Sequence, residues 1–318
     1  MLRLLTALGL AGLVAVLAVR LTGSERGALL VLLVGALPLT LLAVYPLLAA
    51  ALWLRSRVLV PVGVALVVAH GLVVAPDLRA EPLPGGADAA PSLRVVVANL
   101  YRLNPRPEQA AEVLRGLDAD VLVVPELDAR GRAALDAAGL ADDLPHTAVA
   151  GDGEETVGLL SRLPLEDVVL RHVGARVLPQ ATVGVGGVRV RLLAVHPLPP
   201  LAGLEPLWRV TLADTARQVD AEGLPVVVAG DLNADRHHAV FRGLLDTGLR
   251  DAHGERGRGL ARTWPGRFPV LHLDHVLVRD GDGASLAVLD VREVRLPGSD
   301  HRTVVADLAV LAAGDQAD

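Results

Sequence analysis

The stretch Val226 to Asn233 reads V-V-V-A-G-D-L-N. Four apolar residues, three of them β-branched, run into Gly230, and Asp231, Leu232 and Asn233 follow. A short β-branched run that stops at a glycine is a buried strand emptying into a tight turn. The turn presents a carboxylate and a carboxamide two residues apart. A carboxylate accepts hydrogen bonds or ligates a hard cation, and a carboxamide both donates and accepts.

Working outward, other predicted strands end in the same way. Asn99 follows L-R-V-V-V-A, Glu126 follows V-L-V-V-P, and His196 follows R-L-L-A-V. Asp274 sits inside L-H-L-D-H-V-L-V, and Asp300 and His301 precede R-T-V-V-A-D-L. Each has an ordinary reading on its own: a turn cap, a helix start, a loop histidine or a buried acceptor. Their repetition at strand ends favours one site, because sites are built on loops at the ends of rigid strands.

The surrounding pattern is a mixed α/β one. Strands are predicted at Leu93–Ala98, Val121–Val124, Val157–Leu160, Val226–Ala229, Leu273–Val278 and Val304–Val310. A hairpin is predicted with Ala181–Val185 and Val188–Val195 joined by Gly186-Gly187. Helices are predicted at Glu108–Leu117, Arg130–Ala138 and Leu207–Ala221. Hairpins interleaved with helices indicate a layered α/β sandwich, not a purely parallel sheet.

The 318 residues divide into two sections. The chain is 52% hydrophobic with a mean hydropathy of +0.46, and most of the excess lies in the first 75 residues. Three apolar runs, Leu4–Val19, Gly27–Leu54 and Val58–Val74, are each near the 20 or so residues a spanning helix needs. They predict an anchor of three transmembrane helices over residues 1–77, a Pro/Gly/Ala-rich linker over 78–91, and a catalytic domain over 92–318. The short loop with Arg55 and Arg57 is purely basic and is expected on the cytoplasmic side, which places the catalytic domain outside the cytoplasm. The chain has no Cys, so neither a disulfide nor a thiolate nucleophile is available. All 30 of its basic residues are Arg.

Asn99, Glu126, His196, Asp231, Asn233, Asp274, Asp300 and His301 resemble, in order and local context, the endonuclease/exonuclease/phosphatase family. The family's pattern appears as A-N-L, P-E-L, V-H-P, G-D-L-N, L-D-H-V and S-D-H-R, with V-G-L-L-S-R at Val157–Arg162 as a further match. The resemblance covers roughly Ser92 to Leu311 and implies a four-layer α/β sandwich. Tyr101 stands where the family often has Asp, and Pro125 where it has Gln. The anchor and T-W-P before L-D-H resemble a narrower membrane-anchored group, exemplified by VanJ-type teicoplanin-resistance proteins.

The resemblance implies metal-dependent hydrolysis of a phosphate ester or anhydride, which needs neutralised phosphoryl oxygens and an in-line water. Glu126 and Asn99, with Asp300 beside them, would hold Mg²⁺, with Mn²⁺ the alternative ion. His301 would take the water's proton, with Asp274 fixing its tautomer. Asp231 and Asn233 would position nucleophile and phosphate, and His196 would donate to phosphoryl oxygens or assist the leaving group. His272 and His275 are expected to stand outside the site, since strand neighbours alternate faces.

Residues 78–318 carry 25 Arg against 34 acidic side chains, a poor electrostatic footprint for nucleic acid. The bilayer tether and the apolar loop Pro197–Leu204 favour a lipid-linked phosphate or pyrophosphate, such as an undecaprenyl carrier. Arg262 and Trp264, in a segment with five Arg, are candidates to clasp it. The alternatives are an extracytoplasmic nuclease or phosphodiesterase, and a non-catalytic binding module.

Overall fold

The computed structural model describes residues 1–151, 156–201 and 203–312. Residue 202 of the apolar loop and the last six residues of the expected catalytic domain lie outside the described residues.

The chain opens with α1 (Leu2–Thr22), α2 (Ala28–Gly35), α3 (Leu37–Leu41), α4 (Val44–Trp53) and α5 (Leu59–Val74). Two of these helices are long and apolar enough to cross a membrane: α1, and α5 with its 3₁₀ extension to Leu78. The run expected as one further straight span is instead bent by 84° between Ala28–Gly35 and Leu37–Trp53. The break falls at Gly35-Ala36-Leu37-Pro38. Pro38 has no N–H to continue a helix, and glycine weakens one. If the bent pair is one span the anchor has three.

The anchor has two distinct ends. At one, Arg3 donates to the Leu54 carbonyl, close to Arg55 and Arg57. At the other, the anchor is fastened to the rest of the chain. Arg242 donates to the Arg20 carbonyl and Ala239 N to Glu25 Oε1. Gly27 N donates to Glu205 Oε2, and Asp77 pairs with Arg236. Glu25 and Asp77 are fully buried, so both carboxylates depend on these partners.

The α/β body follows as β1 (Ser92–Val97), α6 (Pro107–Arg115), β2 (Val121–Val124), α7 (Ala129–Ala137), α8 (Leu140–Asp143), β3 (His146–Ala150) and β4 (Val157–Ser161). The second half is β5 (Glu166–Val173), β6 (Arg176–Val185), β7 (Val188–Ala194), α9 (Glu205–Asp220), β8 (Val226–Asp231), α10 (Ala239–Leu245), β9 (Arg250–Asp251), α11 (Ala252–Glu255), β10 (Asp274–Arg279), β11 (Ala284–Arg295) and β12 (Arg302–Ala312). The strands form two six-stranded sheets, ordered β11-β12-β1-β2-β4-β3 and β5-β6-β7-β8-β10-β9. Their facing surfaces make the main core, which includes Val95, Val97, Leu192 and Val228. On β1 the alternate residue Val96 points the other way, into a second core with Leu114 and Leu135 of α6 and α7. A strand covered on both faces has to be apolar there, which explains the V-V-V-A run at Val95–Ala98, while Arg94 near the strand's start pairs with Asp307. With α9 and α10 outside the second sheet, the order is helices, sheet, sheet, helices, the expected four-layer sandwich.

This topology collects the site. β1 and β2 run parallel across α6, and β7 and β8 run parallel across α9, so the carboxyl ends of all four strands lie on one rim. β10 and β12 pair antiparallel with β8 and β1, which brings their first residues to the same rim. Gly230 is needed at the top of β8. Its φ is +151°, and a Cβ there would stand 1.9 Å from the Val195 carbonyl oxygen. Gly230→Ala should therefore destabilise the detergent-solubilised protein by about 3 kcal/mol. An unchanged thermal unfolding midpoint would contradict this close approach.

Candidate functional site

Asp231 ends β8 and Asp274 begins β10, directly opposite in the strand register. Both are buried, at 2% and 0% exposure. His301, one residue before β12, joins them. Its Nδ1 lies 2.8 Å from Asp274 Oδ2, and its Nε2 lies 3.7 Å from Asp231 Oδ2. The loop geometry enforces this placement. Thr263 Oγ1 accepts from the backbone N–H groups of Leu273 and Asp274, and Ser299 Oγ accepts from His301 N while donating to the Asn99 carbonyl.

Asn99 bridges the two sheets. Its amide nitrogen donates to Glu126 Oε1 at 3.1 Å and to Asp231 Oδ2 at 3.0 Å, and its Oδ1 accepts from Tyr101 N. Glu126 is half-buried, and its second oxygen accepts from Arg102 N. His196 brings Nε2 to 3.9 Å from Asp231 Oδ2, and its buried Nδ1 has no hydrogen-bond partner among the described residues. Asn233 N closes a turn on Asp231 Oδ1, and its side chain donates to the Pro197 carbonyl. Asp300 accepts from the Trp264 indole. Tyr101, Glu126 and Asn233 all have left-handed backbones, with φ of +59°, +55° and +49°. Such conformations persist where the surroundings over-determine them, which is common at functional sites.

The electrostatics follow from burial and neighbours. Burial alone would lower His301, but Asp274 and Asp231 outweigh it and raise the imidazole to about 10. Burial, with Asp274 alongside, pushes the Asp231 carboxyl up to about 7. Burial, aided by Arg176 and His301, drops His196 to about 3, so its ring is neutral. The site thus holds a charged imidazole, a neutral imidazole and a carboxyl poised near neutrality.

The donor set suits a hard divalent cation on the Glu126 side. Glu126, Asp300 and Asp231 line one cavity and offer carboxylate oxygens. The Asn99 NH₂, between Glu126 and Asp231, occupies a place that attracts positive charge. Asp231, Asp274 and His301 also stand close enough to ligate an ion. There, however, the short His301–Asp274 hydrogen bond already uses one nitrogen and one oxygen, so that trio is better described as a buried charge pair.

Every expected residue is on this rim except Arg262. Its guanidinium turns back to the carbonyls of Leu260 and Ala261 and faces Asp235, so it does not line the cavity. Arg102 and Arg176 line it instead. Neither carries a local sequence signal: Arg102 sits in a loop, and Arg176 opens β6 at the far end of a hairpin. The cavity, about 670 Å³, has a second, mainly apolar wall, where His238 holds the Val31 carbonyl. It comprises Ala28, Leu29, Val31 and Leu32 of α2, and Leu198, Pro199, Leu201 and Leu204 of the loop after His196.

A model of the Endonuclease/Exonuclease/phosphatase family matches residues 96–301. An uncharacterised protein of Escherichia coli K12, YbhP, is 31% identical over 51% of this chain, and the match spans 66% of that relative's length. Among solved structures, TDP2 of D. rerio in complex with single-strand DNA product superposes with a TM-score of 0.59 at 17% identity, covering 68% of this chain and 98% of that one. An endonuclease/exonuclease/phosphatase protein from Beutenbergia cavernae gives 0.55 at 23% identity, covering 70% and 72%. The human Nocturnin catalytic domain gives 0.56 at 17% identity, covering 70% and 95%. At these identities the structural likeness speaks for the fold.

The raised His301 pKa has a measurable consequence. The folded pKa, about 10, lies above the unfolded value near 6.5. Its contribution to stability is therefore full below pH 6.5 and is lost as the pH rises towards 10. In Asp274→Asn one of the two carboxylates holding that proton is gone. NMR titration of the variant should show His301 titrating well below its wild-type value, and the stability loss between pH 6.5 and 10 should shrink. Identical His301 titrations in the two proteins would rule out the pairing.

Proposed function

The chain belongs to the endonuclease/exonuclease/phosphatase family, and on that premise we propose that it is a membrane-anchored, Mg²⁺-dependent phosphohydrolase whose substrate is a lipid-linked phosphate or pyrophosphate. The observation that carries this reading is the two-sided cavity. One wall holds Glu126, His196, Asp231, Asn233, Asp300 and His301, and the other is the apolar face of the anchor's own helix α2 with the loop after His196. Leu29 and Leu201 are 68% and 54% exposed, so the apolar wall opens outward instead of closing into the core. A polar head joined to a long apolar tail matches both walls at once. Each buried methylene contributes about 0.8 kcal/mol.

The chemistry follows from the protonation pattern. Asp231, held near 7, is the group suited to accept a proton from the attacking water. His301, charged and fixed by Asp274, donates to a phosphoryl oxygen. This exchanges the proton-accepting role that the family resemblance implied for His301. Neutral His196 donates a hydrogen bond to a second phosphoryl oxygen; as the water's oxygen bonds to phosphorus the bond to the leaving oxygen breaks, and the leaving phosphate departs as an anion that takes its proton from solvent. Asn233 fixes the Asp231 carboxylate through its backbone N–H. Glu126 and Asp300 would hold the divalent ion, which neutralises phosphoryl charge when bound, while Asn99, whose NH₂ donates to Glu126 and Asp231 and whose Oδ1 is taken by Tyr101 N, orients the carboxylates instead of ligating. Arg102 and Arg176, on the same cavity, add positive charge where a diphosphate would need it.

The end-to-end asymmetry of the anchor supports an outward-facing domain. Arg3, Arg55 and Arg57 with the amino terminus mark one end, against Arg20 and Arg26 at the other, where these fastenings to the α/β body lie among the described residues. The positive-inside tendency then puts the body on the extracytoplasmic side. A role in glycopeptide resistance through a cell-wall lipid carrier fits this placement and the resemblance of the anchor and T-W-P to teicoplanin-resistance proteins.

The test is phosphate release by the full-length protein in detergent, with undecaprenyl pyrophosphate, DNA and bis-p-nitrophenyl phosphate as parallel substrates. Release from the lipid is expected, and EDTA or His301→Ala should abolish it. Leu29→Ser and Leu201→Ser should each weaken kcat/KM for the lipid by roughly 10-fold, a loss of about 1.4 kcal/mol, while leaving the soluble diester unaffected. Metal-dependent cleavage of DNA or the diester with no release from the lipid would sink the lipid reading and favour a nuclease or phosphodiesterase. Inactivity on all three would favour a binding module.

A further inference from the structure

Behind β10, on the face opposite Asp274, stands a second cluster of ionisable side chains that the phosphohydrolase chemistry does not use. One ligand atom each from Asp251, His272 and His275 lie within 4.8 Å of one another, and all three residues are buried. They come from two short stretches, D-A-H at 251–253 and H-L-D-H at 272–275, separated by a long irregular segment.

The hydrogen bonding around the cluster follows the pattern of a transition-metal site. His275 Nε2 lies 2.9 Å from the Ala234 carbonyl and 3.1 Å from that of His272, so this nitrogen carries the proton. Its Nδ1 pairs with Asp251 Oδ1 at 3.3 Å; against the effect of burial, Asp251 holds this imidazole above its usual range, so a bound cation would displace the Nδ1 proton and take its place between the two groups. Two donors bound at about 2 Å to a tetrahedral ion stand roughly 3.3 Å apart, the separation found here. His253 makes the same arrangement with a carboxylate. Its Nε2 is 2.9 Å from Glu293 Oε1, while its Nδ1 is buried with no partner among the described residues. Its ring stands edge-on to His272 at 4.3 Å between centroids.

His272 is the decisive member. It is 1% exposed, and its Nε2 has no hydrogen-bond partner among the described residues. Burial and the neighbouring His275 and His253 hold it well below its usual range, so the ring is neutral with a lone pair available. A buried imidazole nitrogen without a partner costs free energy, and a bound cation is one way to satisfy it. Histidines whose outer nitrogens are held by carbonyl or carboxylate, with inner nitrogens converging, are arranged as metal ligands are.

We propose that Asp251, His272 and His275 bind a structural Zn²⁺-class ion distinct from the catalytic cation, with a water molecule completing its shell. Two imidazoles and one carboxylate suit zinc and its neighbours, not Mg²⁺. The ion would tie together the two ends of the segment 254–271. That segment carries Thr263, which accepts from Asp274 N, and Trp264, which donates to Asp300. Closing such a loop at its base removes chain entropy from the unfolded state and holds both supports of the site in place. The inference is independent of which phosphate compound is hydrolysed.

Metal analysis of the full-length protein, purified in detergent and dialysed against Mg²⁺, tests it. About one zinc per chain is expected, retained in Glu126→Gln, lost in His272→Ala and retained in His272→Cys, which still offers a ligand. Cobalt substituted for zinc in the wild type should give the ligand-field absorption of a tetrahedral nitrogen/oxygen site, a readout that does not depend on any variant folding. Absence of both zinc and the cobalt spectrum in the wild type would overturn the proposal and leave a buried Asp251–His275 ion pair. Metal lost with Glu126→Gln but kept in His272→Ala would also overturn it, by placing the ion at the catalytic cavity.

Discussion

Asp231 and Asp274 face one another across adjacent antiparallel strands with almost no exposure to solvent. Two buried carboxylates in that position cannot both be anionic without compensating positive charge. His301 supplies it, and the order of the strands places it there. β10 follows β8 in its sheet, β12 follows β1 in the other, and the site forms where the rims of the two sheets meet. The remaining polar groups are consequences of that arrangement. Asn99 spans the gap between the sheets, Ser299 ties the His301 loop to the end of β1, and Thr263 pins the first residue of β10.

The N-terminal helices are part of the same structure as the α/β body. Buried Glu25 and Asp77 hold it to Arg209 and Arg236, and His238 reaches the Val31 carbonyl. With the 84° bend after Ala28–Gly35, that helix packs on α1 through Val34 while Ala28, Leu29 and Leu32 line the cavity. A chain built only to localise a soluble phosphoesterase would have no need of this contact. It is the physical reason for preferring a substrate with an apolar tail.

Much of this was legible from residue order. The strand-end residues Asn99, Glu126, His196, Asp231 and His301 stand out because polar side chains interrupt otherwise apolar runs, and the strand order converts that one-dimensional signal into a rim. Helix spacing located α6, α7 and α9 to within about two residues. Other features had no local signal. β5 is an edge strand whose exposed side chains hide its alternation, and β11 is broken by an irregularity at Val288/Asp290. Arg262 attracted attention as a cation near Trp264, yet its side chain satisfies local carbonyls. Arg102 and Arg176 reach the cavity only through tertiary folding. The contact of α2 with the site is likewise invisible in a run that reads simply as apolar.

In the proposed complex an apolar tail lies against α2 while its phosphate sits among Asp231, His196 and His301. Photo-crosslinking with a long-chain alkyl phosphate carrying a diazirine in its tail, followed by peptide mapping, addresses this directly. Labels concentrated in residues 28–32 and 198–204, and competed away by an unlabelled polyprenyl phosphate, are the predicted result. Labels spread over the outward faces of α1 and α5, with none at α2 or the loop after His196, would exclude a tail bound against α2.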